Sequence, residues 1–305
     1  LRNTVLIFHQ AALGDFLVTW PIALAVTRSM PQHRVVYVTA PSRGGLAAHA
    51  LGVEWRNADQ FAGLFVEDAS ISDASKQILD RTTLSISFVS NGNDVWSRRF
   101  RTLAPQAKLI CLNPKPPEDW PGHITDWHIG QLAGEQMLHL ATASMLRVLQ
   151  SRGLFVAKKS PAPVLVHPGA GSPVKRWPLE KYVDLVHRLN AERSGNAKFV
   201  VGSDDFESMS RKQIETLRSA GALLLAKDGI ELLDTLRSAS AFIGNDSGPG
   251  HLAGLCGLPS VILFGGSSRE RLWKPIGPRV HVIRHDPLDD LGVDAVVAGL
   301  GVVTA

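Results

Sequence analysis

Cysteine is scarce. Cys111 and Cys256 are the only two in 305 residues, too few for a disulfide framework or a cysteine-built metal cage. Both sit in apolar surroundings and read as small buried hydrophobes. Long apolar runs are missing as well, since no stretch reaches the roughly 18–20 residues that span a bilayer. Thr4-Val5-Leu6-Ile7-Phe8 is short and lacks the basic leader and cleavage site of a secretory signal, so the expected location is cytoplasmic. The 11 histidines show no paired spacing with a carboxylate that argues for a metal, and none is expected. A Walker-type lysine turn is absent, and no convincing G-x-G-x-x-G follows the first strand.

Neither sign of charge dominates. The net charge is +4, yet residues 1–160 carry 16 Lys and Arg against 12 Asp and Glu, while residues 161–305 carry 16 of each. The whole excess lies in the first half, which suits an anionic partner, a membrane surface or simply a solvated face. No nucleic-acid partner is expected.

What is present reads as a globular α/β chain. Apolar residues make up 45% and charged residues 20%, and the length favours two domains of about 150 residues each. Thr4–Phe8 and Arg34–Val38 are apolar runs of strand length, separated by a Gly14-Asp15 turn and a helical pattern over 16–28. Strand, turn, helix, strand is a βαβ unit and implies a parallel sheet covered on both faces. Leu84–Val89 and Lys108–Leu112 are further strands, 113–130 a long irregular loop, and Gln131–Arg152 a helix. A Gly-, Lys- and Pro-rich stretch over 153–163 is the expected linker. A second series of strands follows at Pro163–His167, Ala197–Val201, Ala222–Leu225, Ala241–Ile243 and Ser260–Phe264, with helices over Leu179–Arg193 and Ser208–Ala220. The expected division is a first Rossmann-like domain over 1–157, a second over 158–287 and a C-terminal helix over 288–305 with no assigned docking site. The fold class is α/β, two doubly wound parallel-sheet domains facing a cleft.

Three turns could carry chemistry. Asp246-Ser247-Gly248-Pro249-Gly250-His251 lies between a strand and a helix start, where backbone N–H groups and the positive helix end converge on a point that suits a phosphate. His167-Pro168-Gly169-Ala170-Gly171-Ser172 occupies the equivalent place after another strand, with Lys175 and Arg176 beside it to neutralise phosphate oxygens. Small residues there let a ligand approach the backbone. Gly265-Gly266-Ser267-Ser268 is a third candidate loop. Asp246 serves a ribose hydroxyl, a sugar hydroxyl or its own turn as a cap; His251 donates to a phosphate or is a core histidine. In the first half, Asp15 ends the first strand and is either a cap or the carboxylate that takes a proton from an acceptor hydroxyl. His9 is a weaker alternative base, and Arg98, Arg99 and Arg101 form a basic cluster for an anionic acceptor or a solvated helix face.

Leu13-Gly14-Asp15 with Pro21 behind it, His167-Pro168-Gly169-Ala170 leading to Lys175-Arg176-Trp177-Pro178, and Asn245–Ala253 together resemble glycosyltransferase family nine, the lipopolysaccharide heptosyltransferases. Order and spacing agree along nearly the whole chain. The resemblance implies the GT-B fold, with acceptor in the N-terminal domain, donor nucleotide-sugar in the C-terminal domain, and inversion at the anomeric centre without a metal or other cofactor. It implies Asp15 as general base, Lys175 on the donor phosphates or sugar, and Ser247, Gly248 and His251 along the diphosphate. Asp246 would reach the transferred sugar, Ser172 a phosphate, and adenosine would lie near Gly202 and the loop after it. An ADP-sugar is the favoured donor and an anionic glycan or glycolipid the acceptor, met at the cytoplasmic face of the inner membrane. The family's well-studied members carry a lysine where this chain has His9. A nucleotide-sugar epimerase or hydrolase on the same scaffold, or a nucleotide-sugar binding protein without catalysis, are the alternatives.

Overall fold

The computed structural model describes residues 3–156, 162–192, 196–266 and 268–305. They form two compact units, Leu1–Leu146 and Arg147–Ala305, and the division falls inside the helix Gln136–Arg152. The expected linker reaches beyond the described residues at Lys158, Lys159 and Pro161, and so does the boundary expected between 157 and 158.

In the first unit β1 (Thr4–Phe8), β2 (Arg34–Thr39), β3 (Glu54–Asn57), β4 (Thr82–Ser87) and β5 (Lys108–Cys111) make one parallel sheet in the order β3-β2-β1-β4-β5. All five residues of β1 are buried, as a parallel strand covered on both faces requires. One face packs Leu6, Phe8, Val36 and Val38 against Phe61, Trp96 and Phe100. The helical pattern over 16–28 is two helices, Leu13–Leu17 and Trp20–Ser29. Pro21 sits in the first turn of the second, where its missing N–H costs nothing. The expected irregular loop over 113–130 holds a helix, Ile124–Gln131, capped by the His123 ring accepting from the Thr125 N–H at 3.1 Å.

The second unit contains β6 (Val164–His167), β7 (Ala197–Gly202), β8 (Leu223–Ala226), β9 (Ala241–Asn245), β10 (Ser260–Phe264) and β11 (Val280–Arg284), all parallel, in the order β11-β10-β9-β6-β7-β8. Counted from β6 this is the 3-2-1-4-5-6 order of the dinucleotide-binding Rossmann sheet. The order reverses between β6 and β9, where Leu165 lies opposite Phe242, and ligands of open α/β sheets bind outside the carboxyl ends of strands at such a point. The C-terminal helix is Val293–Thr304, five residues later than the pattern from Leu288 suggests. It buries Val296, Leu300 and Val303 in the core of the second unit, against β10, β11 and the helix Leu179–Glu192. No helix among the described residues is long and apolar enough to cross a membrane.

Candidate functional site

The turn after β6 and the turn after β9 meet at the reversal point of the second sheet. Lys175, in a short 3-10 turn over Pro173–Lys175, donates from Nζ to Asp246 Oδ2 at 2.7 Å. Asp246 is 6% exposed and also accepts from Ser268 Oγ at 2.8 Å. A carboxylate that deep needs both partners, because an unpaired buried charge is strongly unfavourable. The third candidate loop thus joins the same place through Ser268; its Ser267 lies outside the described residues. Arg284, at the end of β11, holds that loop by donating to the carbonyls of Ser268 at 2.7 Å and Gly266 at 3.2 Å. Ser172 precedes the 3-10 turn and is half-buried.

Ser247 caps the helix Gly248–Leu255, with its hydroxyl accepting from Gly250 N–H at 3.5 Å. Pro249 in the first turn has no N–H to satisfy. His251 is 4% exposed, within that helix, edge-on to Trp273 at 6.4 Å. Among the described residues, no protein group accepts from the N–H groups of Gly169, Ala170, Gly171, Ser247 or Gly248. Gly169 and Ala170 are buried, and orphaned buried N–H groups are rare in folded proteins. These five donors, two of them on buried residues, lie on two turns that a lysine joins, an arrangement that can receive an anion.

Behind the first turn His167, fully buried at the end of β6, donates from Nε2 to Asp205 Oδ2 at 3.0 Å. Burial alone would raise the Asp205 pKa; the His167 hydrogen bond and charge and nearby Arg176 outweigh it and hold the carboxyl below its ordinary value. A cavity of about 160 Å³ opens there, lined by Pro168, Gly169, Arg176, Asp205 and Met209 among others.

In the first unit, Asp15 lies half-buried in the helix Leu13–Leu17, directly beyond the carboxyl end of β1. His9 is not at a surface. It is 2% exposed, with its ring against those of Phe16 and Phe88. Burial first, then the charges of His128 and Arg43, lowers its pKa to about 3, so the ring is neutral at physiological pH. His9, expected on the acceptor side, is thus placed among core rings, with no surface of its own to present. The three arginines expected to bind an acceptor are held by the protein itself. Arg99 donates to the carbonyls of Gly63 and Ala69, Arg98 pairs with Glu67 at 2.6 Å, and Arg101 donates to the Gly92 carbonyl at 2.9 Å. Their helix, Val95–Leu103, is thereby tied to the segments packed on it. The structure places a different cation, Arg43, in a cavity of about 310 Å³ with Gln10, Asn57 and Asp59. That cavity lies at the carboxyl edge of β1, β2 and β3.

The sequence profile of glycosyltransferase family 9 (heptosyltransferase) matches residues 119–290, more than half of the chain. The protein belongs to glycosyltransferase family 9. That match includes the whole site at the β6 and β9 turns. A family 9 glycosyl transferase from Veillonella parvula is similar in structure, with a TM-score of 0.74 and 15% identity over 99% of this chain and 97% of that one. The E. coli ADP-heptose lipopolysaccharide heptosyltransferase II gives 0.68 and 17%, covering 99% and 98%. E. coli heptosyltransferase WaaC with ADP gives 0.66 and 14%, covering 98% and 99%. At such identities the likeness establishes the fold, and it is the two-sheet GT-B architecture. A Haemophilus influenzae protein, named provisionally as a glycosyltransferase, is 29% identical over 134 residues, which is 42% of this chain. The chain matches 37% of that relative's length.

Asn245, Asp205, Ser268, Arg284 and Arg43 carry no assigned role from sequence, whereas Arg176, expected beside the phosphate, donates in this structure to the Ala170 carbonyl at 3.1 and 3.3 Å. Asn245 and Ser268 stand next to assigned or candidate residues, which is a usable signal. Asp205, on the helix Ser203–Ser208, has none, because only packing brings it to His167.

Proposed function

We propose that the protein is an inverting, metal-independent glycosyltransferase that moves heptose or a similar sugar from a nucleotide diphosphate sugar to an anionic glycan or glycolipid. The reading rests above all on the five unpartnered N–H groups at the joined β6 and β9 turns. A diphosphate is the group whose oxygens accept from several N–H donors at once while Lys175 supplies charge. E. coli WaaC has been solved with ADP and with ADP-2-deoxy-2-fluoro heptose, which favours an ADP-sugar as donor.

In this mechanism the diphosphate lies along Gly169–Gly171, Ser172, Ser247 and Gly248, and His251 donates from the first turns of its helix. The nucleoside lies near Gly202 and the helix after it. Lys175 balances the negative charge that grows on the leaving oxygen as the sugar departs, a contribution that is usually the largest in such reactions. Asp246, held by Lys175 and Ser268, accepts from a hydroxyl of the transferred sugar. Asp15 removes the proton from the acceptor hydroxyl as its oxygen forms the new bond to the anomeric carbon. The carbon–oxygen bond to the diphosphate breaks on the opposite face, so the configuration inverts. The cavity holding Arg43 receives part of the acceptor, and the basic first half favours approach to the cytoplasmic membrane face.

A thermal-shift screen over nucleoside diphosphates identifies the donor class, because a ligand of the folded state raises its stability by mass action. ADP and ADP-sugars are expected to stabilise most. Asp15→Asn is expected to abolish transfer while ADP affinity stays within about twofold of wild type. Wild-type transfer by that variant would remove Asp15 from the mechanism, and release of free or rearranged sugar without acceptor would replace transfer by hydrolysis or epimerisation.

A further inference from the structure

We infer that Asn245, with Arg176, is the positioning device that aims the turn after β6 at the diphosphate. Asn245 ends β9 and is fully buried. Its Nδ2 donates to the carbonyls of Pro168 at 3.0 Å and Gly169 at 3.1 Å, and its Oδ1 accepts from the Trp177 N–H at 3.0 Å. The amide orientation follows from that set, since the flipped group would set an oxygen against two carbonyls. Arg176 takes the next carbonyl, Ala170, from Nε at 3.3 Å and a terminal nitrogen at 3.1 Å. Three consecutive carbonyls are thus drawn toward protein donors.

The consequence follows from peptide geometry. In a trans peptide the C=O and the next residue's N–H point in opposite directions, and none of these bonds is cis. Holding the carbonyls of 168, 169 and 170 turns the N–H groups of Gly169, Ala170 and Gly171 the other way, and those are three of the five donors without a protein partner. Asn245 also precedes Asp246, so one side chain fixes the first turn relative to the second and to the start of the helix Leu179–Glu192. The site is therefore preorganised before any ligand arrives, which spares the cost of ordering it on binding. His167 and Asp205 brace the same turn from behind.

The inference rests on the donor reading above, and the test separates the two. Binding of ADP, inorganic pyrophosphate and adenosine is measured by calorimetry on wild type, Asn245→Asp and Arg176→Gln, with a melting curve for each. Asn245→Asp keeps the acceptor for Trp177 but loses both donors. It is expected to weaken ADP and pyrophosphate by about tenfold or more while adenosine changes less than twofold. Arg176→Gln, at a half-exposed position that leaves Asn245 intact, is expected to show the same split more weakly, and it carries the test if the Asp variant does not fold. Equal losses for ADP and adenosine, or no loss for either variant, would overturn the positioning role while leaving the donor reading intact. Failure of wild type to bind both ADP and pyrophosphate would overturn both.

Discussion

His9 and His128 show how single residues set the chemistry a unit tolerates. Each is 2% exposed, and their rings flank Phe88 at 5.5 and 5.1 Å. Burial lowers His128 to about 4, against the opposing hydrogen bond to the Pro114 carbonyl, and lowers His9 to about 3. Both folded pKa values lie below the unfolded 6.5, so the unfolded chain binds more protons at mildly acid pH. Stability is then fully present above pH 6.5 and falls as pH drops toward 4, by about 1.4 kcal/mol per pH unit for each ring. Urea denaturation at pH 7, 6 and 5 checks this, and His128→Phe should flatten the slope. A second residue-scale prediction concerns Lys175. Lys175→Ala leaves the buried Asp246 carboxylate with Ser268 as its hydrogen-bond donor among the described side chains and should cost about 1–3 kcal/mol. It should also weaken ADP by about tenfold or more, as calorimetry would show.

At the scale of elements, the strands read most easily are those buried on both faces. β1 and β10 are continuous apolar runs, fully buried. The two strands not expected from sequence, β3 (Glu-Trp-Arg-Asn) and β11 (Val-His-Val-Ile-Arg), lie at sheet edges and are only half-buried. An edge strand has no need of a continuous apolar run, so its pattern is weak. The β6 turn belongs to this scale too. A Cβ on Gly169 would run into the Asp205 carboxylate that His167 holds. Gly169→Ala should therefore cost about 1–3 kcal/mol by overpacking, and less in an Asp205→Ala background. A double-mutant cycle by chemical denaturation measures that coupling. The C-terminal helix docks through Leu300, fully buried in the second core. Leu300→Ala should cost about 2–5 kcal/mol.

For the whole molecule, the two units have separate sheets and separate cores. The proposed diphosphate contacts all fall between Gly169 and His251, within the second unit. ADP at about 100 times its Kd should then add roughly 2.7 kcal/mol to the unit that binds it. Calorimetric scanning is expected to show the transition of residues 147–305 moving up with ADP while that of residues 1–146 stays. Acidification should act in the reverse sense, lowering the first transition through His9 and His128. Equal movement of both transitions in each experiment would contradict this division.

Sequence alone determined the α/β class, two successive parallel sheets, the family motifs and the order of the three turns. These are local properties: an apolar run, a helix period or a glycine-rich turn is written in neighbouring residues. Which side chains meet was decided only in three dimensions. Lys175 with Asp246 is separated by 71 positions, His167 with Asp205 by 38 and Asn245 with Pro168 by 77. The same holds for charge. From sequence Arg98, Arg99 and Arg101 are a basic cluster for an acceptor or a solvated helix face, and only packing supplies their carbonyl and Glu67 partners; His9 is a loop residue in sequence, and only the fold sets its ring beside Phe16 and Phe88. A residue's type fixes what it can do chemically, whereas its burial and its partners, which are set by contacts distant in the chain, decide what remains for it to do.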